Sequence, residues 1–122
     1  MSDERKIVYI VTHGEEDPEI ATIPFILANS AMAMDVTPVI ILQSNGVMLG
    51  VKGYADKVHF KEGISLKQLI ENYVDGGNQL LLCSPCVEKR KLSEKDFVNG
   101  AIIVGAARVN EEALTGINVL TY

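Results

Sequence analysis

Lys6-Ile7-Val8-Tyr9-Ile10-Val11-Thr12-His13-Gly14, with Asp17-Pro18-Glu19 three residues on, is the passage that decides the fold. Lys6 to Thr12 is a continuous β-branched and apolar run. A strand with one wet face alternates apolar and polar residues; an unbroken run fits a strand covered on both faces, as in a parallel sheet. His13-Gly14 stops the run. Asp17 can accept from the free N–H groups of a helix, Pro18 suits the first helical position, and the neighbouring acids favour the positive end of the helix dipole. A buried strand that passes through a short loop into a capped helix is the opening of an α/β unit.

The same alternation continues outward from that passage. The helix from Pro18 to about Met34 is apolar almost all round, which predicts burial on two sides and an outer face that meets another subunit. Pro24 inside it marks either a kink or the true first turn. Val36 to Leu42 reads as a second strand, and Gln43-Ser44-Asn45-Gly46 as the loop after it. Val47 to Asp56 fits no regular element, since Gly50 and Gly53 interrupt it. Ser65 opens a helix that places Leu66, Leu69, Ile70 and Tyr73 on one face and ends at Gly76-Gly77. Gln79 to Cys83 is a third strand, Ser84-Pro85 a helix start, and Ser93-Glu94-Lys95-Asp96 a short capped turn. Ala101 to Val104, a helix over Val109 to Thr115, and a strand over Ile117 to Tyr122 complete the pattern. The expectation is one domain, 1–122, of α/β class: a three-layer α/β/α arrangement on a mainly parallel five-stranded sheet, of flavodoxin/Rossmann-like type.

Composition narrows the function. The 122 residues are 48% apolar and 22% charged, which fits a globular chain and excludes disorder as the main state. Eleven basic residues stand against 16 acidic ones, a net charge of −5, so a phosphate backbone or an anionic membrane is an unfavourable partner. Aromatics are 6% with no Trp, which argues against stacking platforms for single-stranded nucleic acid. The run Ile7 to Val11 is too short, and its flank too acidic, for a secretory leader. No apolar stretch of membrane-spanning length occurs. A cytoplasmic location follows as an expectation, and with it the reading of Cys83 and Cys86 as thiols rather than a structural disulfide.

In parallel α/β sheets, sites form beyond the carboxyl ends of the strands. Three loops fall on that edge: Thr12 to Asp17, Gln43 to Gly46, and Cys83 to Cys86. Cys83-Ser84-Pro85-Cys86 is the most informative tetrapeptide. With Ser84 as cap and Pro85 as first helical residue, Cys83 sits just before the cap and Cys86 in the first turn. A helix N-terminus favours the thiolate, and Lys89, Arg90 and Lys91 add positive potential. Such a thiolate attacks disulfide, persulfide or polysulfide sulfur. The plainer reading is a pair of packing cysteines, and a half metal site is weakly supported by one CxxC alone. His13, on the same edge, is a candidate to orient or protonate the reacting group. His13 and Gly14 of the first loop, Asn45 and Gly46 of the second, and Ser84 and Arg90 beside the cysteines are the candidate substrate-binding residues. His59 stands apart from any motif. Glu15, Glu16, Asp17 and Glu19 read as a solvated, capping cluster. Gly46, Gly50 and Gly53 with Lys52 do not have phosphate-loop spacing.

Taken in order, these pieces resemble the DsrE/DsrF-like proteins of sulfur relay systems. The resemblance runs through Ile7 to Gly14, Asp17-Pro18, Ser44-Asn45-Gly46-Val47, Lys52-Gly53, Gly63 to Ile70, Gly76-Gly77, Leu81 to Cys86, Lys89-Arg90-Lys91, and Asp96 to Ala101. It implies a small parallel α/β domain that assembles into homo-oligomers, a trimer or a hexamer, or into rings of related subunits. It also implies that Cys83 takes sulfane sulfur as a persulfide from a protein donor and passes it to a protein acceptor, with no cofactor and no metal. Cys86 would then be a resolving thiol or a packing residue. Two other readings stand beside it: an oligomeric scaffold or small-ligand-binding protein without activity, and a CxxC thiol–disulfide oxidoreductase. Thiol behaviour separates them, since a carrier thiol is expected to be exposed and of lowered pKa, and a scaffold cysteine near normal or raised.

Overall fold

The computed structural model describes residues 5–122. Five strands, β1 (Lys6–Val11), β2 (Thr37–Leu42), β3 (Leu80–Cys83), β4 (Ala101–Val104) and β5 (Asn118–Thr121), form one sheet in the order β4-β3-β2-β1-β5. Every pairing is parallel. Four α-helices connect them: α1 (Pro18–Ala33), α2 (Leu66–Asp75), α3 (Ser84–Lys89) and α4 (Ala106–Thr115). The fold is the α/β arrangement that the strand pattern predicts.

The alternation of side chains along each strand sorts the core into two layers. Tyr9, Val11, Ile40, Leu42, Leu80 and Leu82 face α1, α2 and α3, and meet Ala21, Phe25, Ala28, Ile70, Tyr73 and Val87. Val8, Ile41, Leu81 and Val104 face the other way, where Val109 of α4 packs. That second face is thinly covered, since α4 has no fully buried residue. Leu114, Ile117 and Val119 near it are 85%, 64% and 38% exposed. Of the described residues, no helix is long and apolar enough to cross a membrane.

α1 begins at Pro18 and runs through Pro24 without ending, so Pro24 is an interior residue rather than the first turn. Asp17 caps the helix by accepting from the Ile20 N–H at 3.2 Å. Part of the apolar surface of α1 is met inside the chain, because the helix packs on β1, β2 and α2. Asn29 ties α1 to α2 by donating to the Leu69 carbonyl at 3.0 Å. In the segment without a regular reading, Val47 to Asp56, residues 47–50 and 55–56 belong to two 3-10 helices, Ser44–Gly50 and Ala55–Lys57, and residues 51–54 form a bridge and a turn between them. Runs of tight i to i+3 turns carry no apolar period of their own, which is why the pattern gave no helix there. Ser93–Asp96 forms the expected capped turn, with Asp96 accepting from the Ser93 N–H at 2.8 Å.

One ion-pair network fastens α4 to β1. Glu112 meets Lys6 Nζ at 2.8 Å and Arg108 Nε at 2.8 Å. Burial works to raise the Glu112 carboxyl, but the bonds from Lys6 and Arg108 outweigh it and hold the group below its ordinary value. A carboxylate lowered in the folded state contributes stability above its unfolded pKa of about 4.3, and that contribution is lost as pH falls through the folded value. Glu112→Gln is therefore expected to destabilise the chain by about 1 kcal/mol at pH 7. The difference from wild type should vanish in acid below the folded pKa. Urea melts of both proteins across pH 2–7 check this, and a gap that stays constant over that range contradicts it.

Candidate functional site

The register sets three loops side by side. Val11 pairs with Leu42, Leu42 with Leu82, and Cys83 with Val104, so the residues after β1, β2 and β3 leave the sheet at the same edge. β3 ends at Cys83, which is itself the cap of α3, and Ser84 is the first helical residue. This corrects the expectation that Ser84 caps and Pro85 begins the helix. Cys83 has extended backbone, φ −61 and ψ 118, as its strand requires, so the chain turns one residue earlier than the Ser-Pro signal indicates. Ser84 Oγ instead donates to Glu88 Oε2 at 3.3 Å.

The two sulfurs converge. Cys86 Sγ donates to Cys83 Sγ at 2.7 Å, and both are half-buried free thiols. Each also receives a backbone N–H: that of Cys86 reaches the Cys83 sulfur, and that of Ser44 reaches Cys86 Sγ at 3.2 Å. Arg90 Nη1 donates to the Cys86 carbonyl at 3.1 Å, which brings its charge near Cys83. Burial pushes the Cys83 thiol above its ordinary value, and the hydrogen bond and charge of Cys86 add to this. The Cys86 N–H and Arg90 oppose it without winning. The lowered Cys83 pKa expected from the helix N-terminus is thus not found. α3 has only six residues, so its dipole is short, and desolvation decides the direction.

The loop after β2 is tightly held. Gly46 lies against β1, where an added Cβ would stand 2.8 Å from the Val11 carbonyl carbon and overlap its oxygen. Gly46 N–H donates to the Gln43 carbonyl at 2.8 Å, and Gln43 N–H to the Val11 carbonyl at 3.0 Å. Between them Ser44 takes a left-handed conformation, φ 52, which aims its N–H at Cys86. Asn45 Nδ2 donates to Glu16 Oε1 at 2.5 Å, and the same oxygen accepts the Gly14 N–H at 2.9 Å. Burial works to raise the Glu16 carboxyl, but the bonds from Asn45, Gly14 and its own N–H, with the charge of His13, hold it below its ordinary value. Tyr54 accepts the Glu15 N–H at 2.7 Å and closes over Gly14.

The His13 ring bonds to the residue before it. Its Nδ1 lies 3.1 Å from Thr12 Oγ1, and that hydroxyl spends its one proton on the Tyr122 carbonyl at 2.8 Å. The network therefore assigns the proton between them to His13 Nδ1. Of the candidate residues, the structure brings together Cys83, Cys86 and Arg90 in one group. Gly14, Asn45 and Gly46 form a second, adjoining group, joined to the sulfurs through Ser44. Glu16, Ser44 and Tyr54 border these groups and were not singled out by sequence reasoning; Glu16 stood among four acids with nothing to distinguish it. His59 is exposed and away from the edge, and Lys52 is exposed, its N–H bonded to the Asp96 carbonyl. The described residues contain no cluster of three or more His, Cys, Asp or Glu able to hold a metal. A cavity of about 450 Å³ lies on the α2 side, walled by Leu49, Val51, Ile70 and Val74, and neither cysteine lines it.

A parallel α/β domain with a vicinal thiol pair at the carboxyl edge of its sheet is the class that fold and site define. The DsrE/DsrF-like family model matches residues 5–122, and the chain belongs to that family. It is 30% identical over 101 residues to the uncharacterized protein MJ0760 of Methanocaldococcus jannaschii, covering 83% of this chain and 37% of that one. It is 37% identical over 62 residues to the uncharacterized protein MK0008 of Methanopyrus kandleri, covering 50% of this chain and 47% of that one. The chain thus spans less than half the length of either relative. Among solved structures, the YchN protein of E. coli superposes with a TM-score of 0.82 at 22% identity, over 97% of this chain and 99% of that one. MTH1491 of Methanobacterium thermoautotrophicum, described as of unknown function, superposes with a TM-score of 0.70 at 14% identity, over 98% and 100%. At these identities the two structures carry the fold alone.

Proposed function

We propose that this chain accepts sulfane sulfur on Cys83 as a persulfide and relays it to a partner. The observation that supports this reading is the 2.7 Å approach of the two free sulfurs at the carboxyl edge of the sheet, each receiving a backbone N–H. Membership of a sulfur-relay family agrees with it. When Cys83 is the thiolate, the Cys86 S–H and N–H both point to it. That thiolate attacks the outer sulfur of a donor persulfide, R–S–SH. A bond forms from Cys83 Sγ to the sulfane sulfur, the S–S bond of the donor breaks, and the donor leaves as its thiolate, R–S⁻. An acceptor thiolate then attacks the outer sulfur and restores Cys83. The raised Cys83 pKa means that loading accelerates as pH rises beyond the range of about 8.5 where a free thiol ionises.

The raised thiol is also what a scaffold cysteine would show, and it favours the scaffold as the second reading. Intact-protein mass spectrometry after incubation with inorganic polysulfide separates the two. Cys86→Ser is expected to gain about 32 Da, one sulfur atom, and Cys83→Ser to gain none. Equal loading of both variants would reduce the site to two ordinary thiols. No loading of either overturns the carrier reading in favour of the scaffold.

A further inference from the structure

The loop after β2 does more than border the thiols. Cys86 Sγ receives a fixed donor, the Ser44 N–H, and that donor is fixed by a chain of bonds that ends at Glu16. Glu16 Oε1 ties the β1 loop, through Gly14, to the β2 loop, through Asn45. Gly46 seats the same loop on the Val11 carbonyl. Ser44, held between these anchors in a left-handed conformation that side chains rarely adopt, has little freedom to turn its N–H elsewhere. That N–H holds the Cys86 sulfur in place beside Cys83.

We propose that Glu16 is a positioning residue which, through Asn45, aims the Ser44 N–H at Cys86 and so prepares Cys86 to release the sulfur loaded on Cys83 as hydrosulfide. The step rests on the carrier reading and adds a second exit for the sulfur. In the loaded state Cys83–S–S⁻ faces the Cys86 S–H, and the proton passes from Cys86 to the terminal sulfur. The Cys86 thiolate, held by Ser44, attacks Cys83 Sγ. A Cys83–Cys86 disulfide bond forms, the Cys83–sulfane bond breaks, and HS⁻ leaves. The sulfane sulfur is reduced to sulfide and the two cysteines are oxidised to a disulfide, so no outside electron is needed for one turnover. Further turnovers require an external dithiol to reduce the disulfide.

A single-turnover experiment without reductant tests this, using a low-molecular-weight thiol persulfide as donor. The wild type is expected to release one hydrosulfide per chain and to lose about 2 Da, while Cys86→Ser retains about 32 Da and releases none. Glu16→Ala should load normally but release hydrosulfide more slowly by at least about threefold. A sulfur no longer held beside the bond it attacks loses orientation, and orientation sets the rate of an intramolecular attack. Glu16→Gln keeps an acceptor oxygen for both the Gly14 and Asn45 donors, and should release at close to the wild-type rate. Wild type that retains the added sulfur and releases no hydrosulfide, while Cys86→Ser loads, overturns this inference and leaves the carrier reading standing. Failure of Cys86→Ser to load overturns the carrier reading itself. Wild-type release from Glu16→Ala, or release from Glu16→Gln as slow as from Glu16→Ala, removes Glu16 from the positioning role.

Discussion

Gly46→Ala is expected to destabilise the chain by about 3 kcal/mol and to disable the thiol pair together. The added methyl would overlap the Val11 carbonyl oxygen, which is backbone of the strand with neighbours on both sides and has no flexible end to move. The oxygen already accepts the Gln43 N–H at 3.0 Å, so the loop cannot back away without giving up that bond. Displacing the loop also carries Ser44 off Cys86 and Asn45 off Glu16. Gly53→Ala is the control. Gly53 has φ +80, a conformation a side chain resists, but nothing stands within 4 Å of its added Cβ. Its cost should be about 1 kcal/mol, from backbone strain alone, with sulfur loading unchanged. Chemical denaturation of the two variants, with alkylation of Cys86 as the site readout, checks both. Equal destabilisation by the two substitutions would mean that close packing at Val11 is not what holds the loop.

This contrast explains how much of the protein was legible in its sequence. β1, the Asp17 cap and the strand–helix alternation carried their own signals, because strand burial and helix capping are decided by residues near in sequence. The placement of three loops on one edge followed from those elements and a general rule of parallel sheets. Cys83 and Cys86 were visible as a pair because only Ser84 and Pro85 separate them. The rest of the site joins distant residues: Glu16 to Asn45, Ser44 to Cys86, Thr12 to Tyr122. No local pattern marks such pairs. Glu16 looked like one acid of four, and only the register that places the β1 and β2 loops together gives it a partner. The direction of the Cys83 shift was missed for a related reason. A helix N-terminus is a local feature, whereas the burial that outweighs it comes from the packing of the whole edge. The cap of α3 was misplaced by one residue, since Ser-Pro states a preference and the end of a strand overrides it.

Tyr73 is where the largest loss of stability is expected, and two substitutions divide its contributions. The side chain is fully buried under the first sheet face, and its ring meets Phe25 edge-on at 6.2 Å with an interplanar angle of 87°. Its hydroxyl donates to the Gln79 carbonyl at 2.6 Å and accepts the Ile40 N–H at 2.9 Å. One phenol thus ties α2 to β2 and to the residue that precedes β3. Tyr73→Phe keeps the ring and strands both backbone groups, an unsatisfied N–H and a bereft carbonyl, which should cost about 2 kcal/mol. Tyr73→Ala also empties the space beside Phe25, so about 4 kcal/mol or more is expected. Because the Phe variant leaves the packing of β3 in place, its thiols should react like those of wild type. Guanidinium melts of the two variants measure the steps. A Phe variant as stable as wild type would mean that water or a neighbouring group satisfies Ile40 and Gln79 in its place. Tyr73 bonds at the amino end of β3 and the sulfurs stand at its carboxyl end, so the hydrogen bonds act on stability and the sulfurs act on chemistry. The Phe variant is the substitution that separates them.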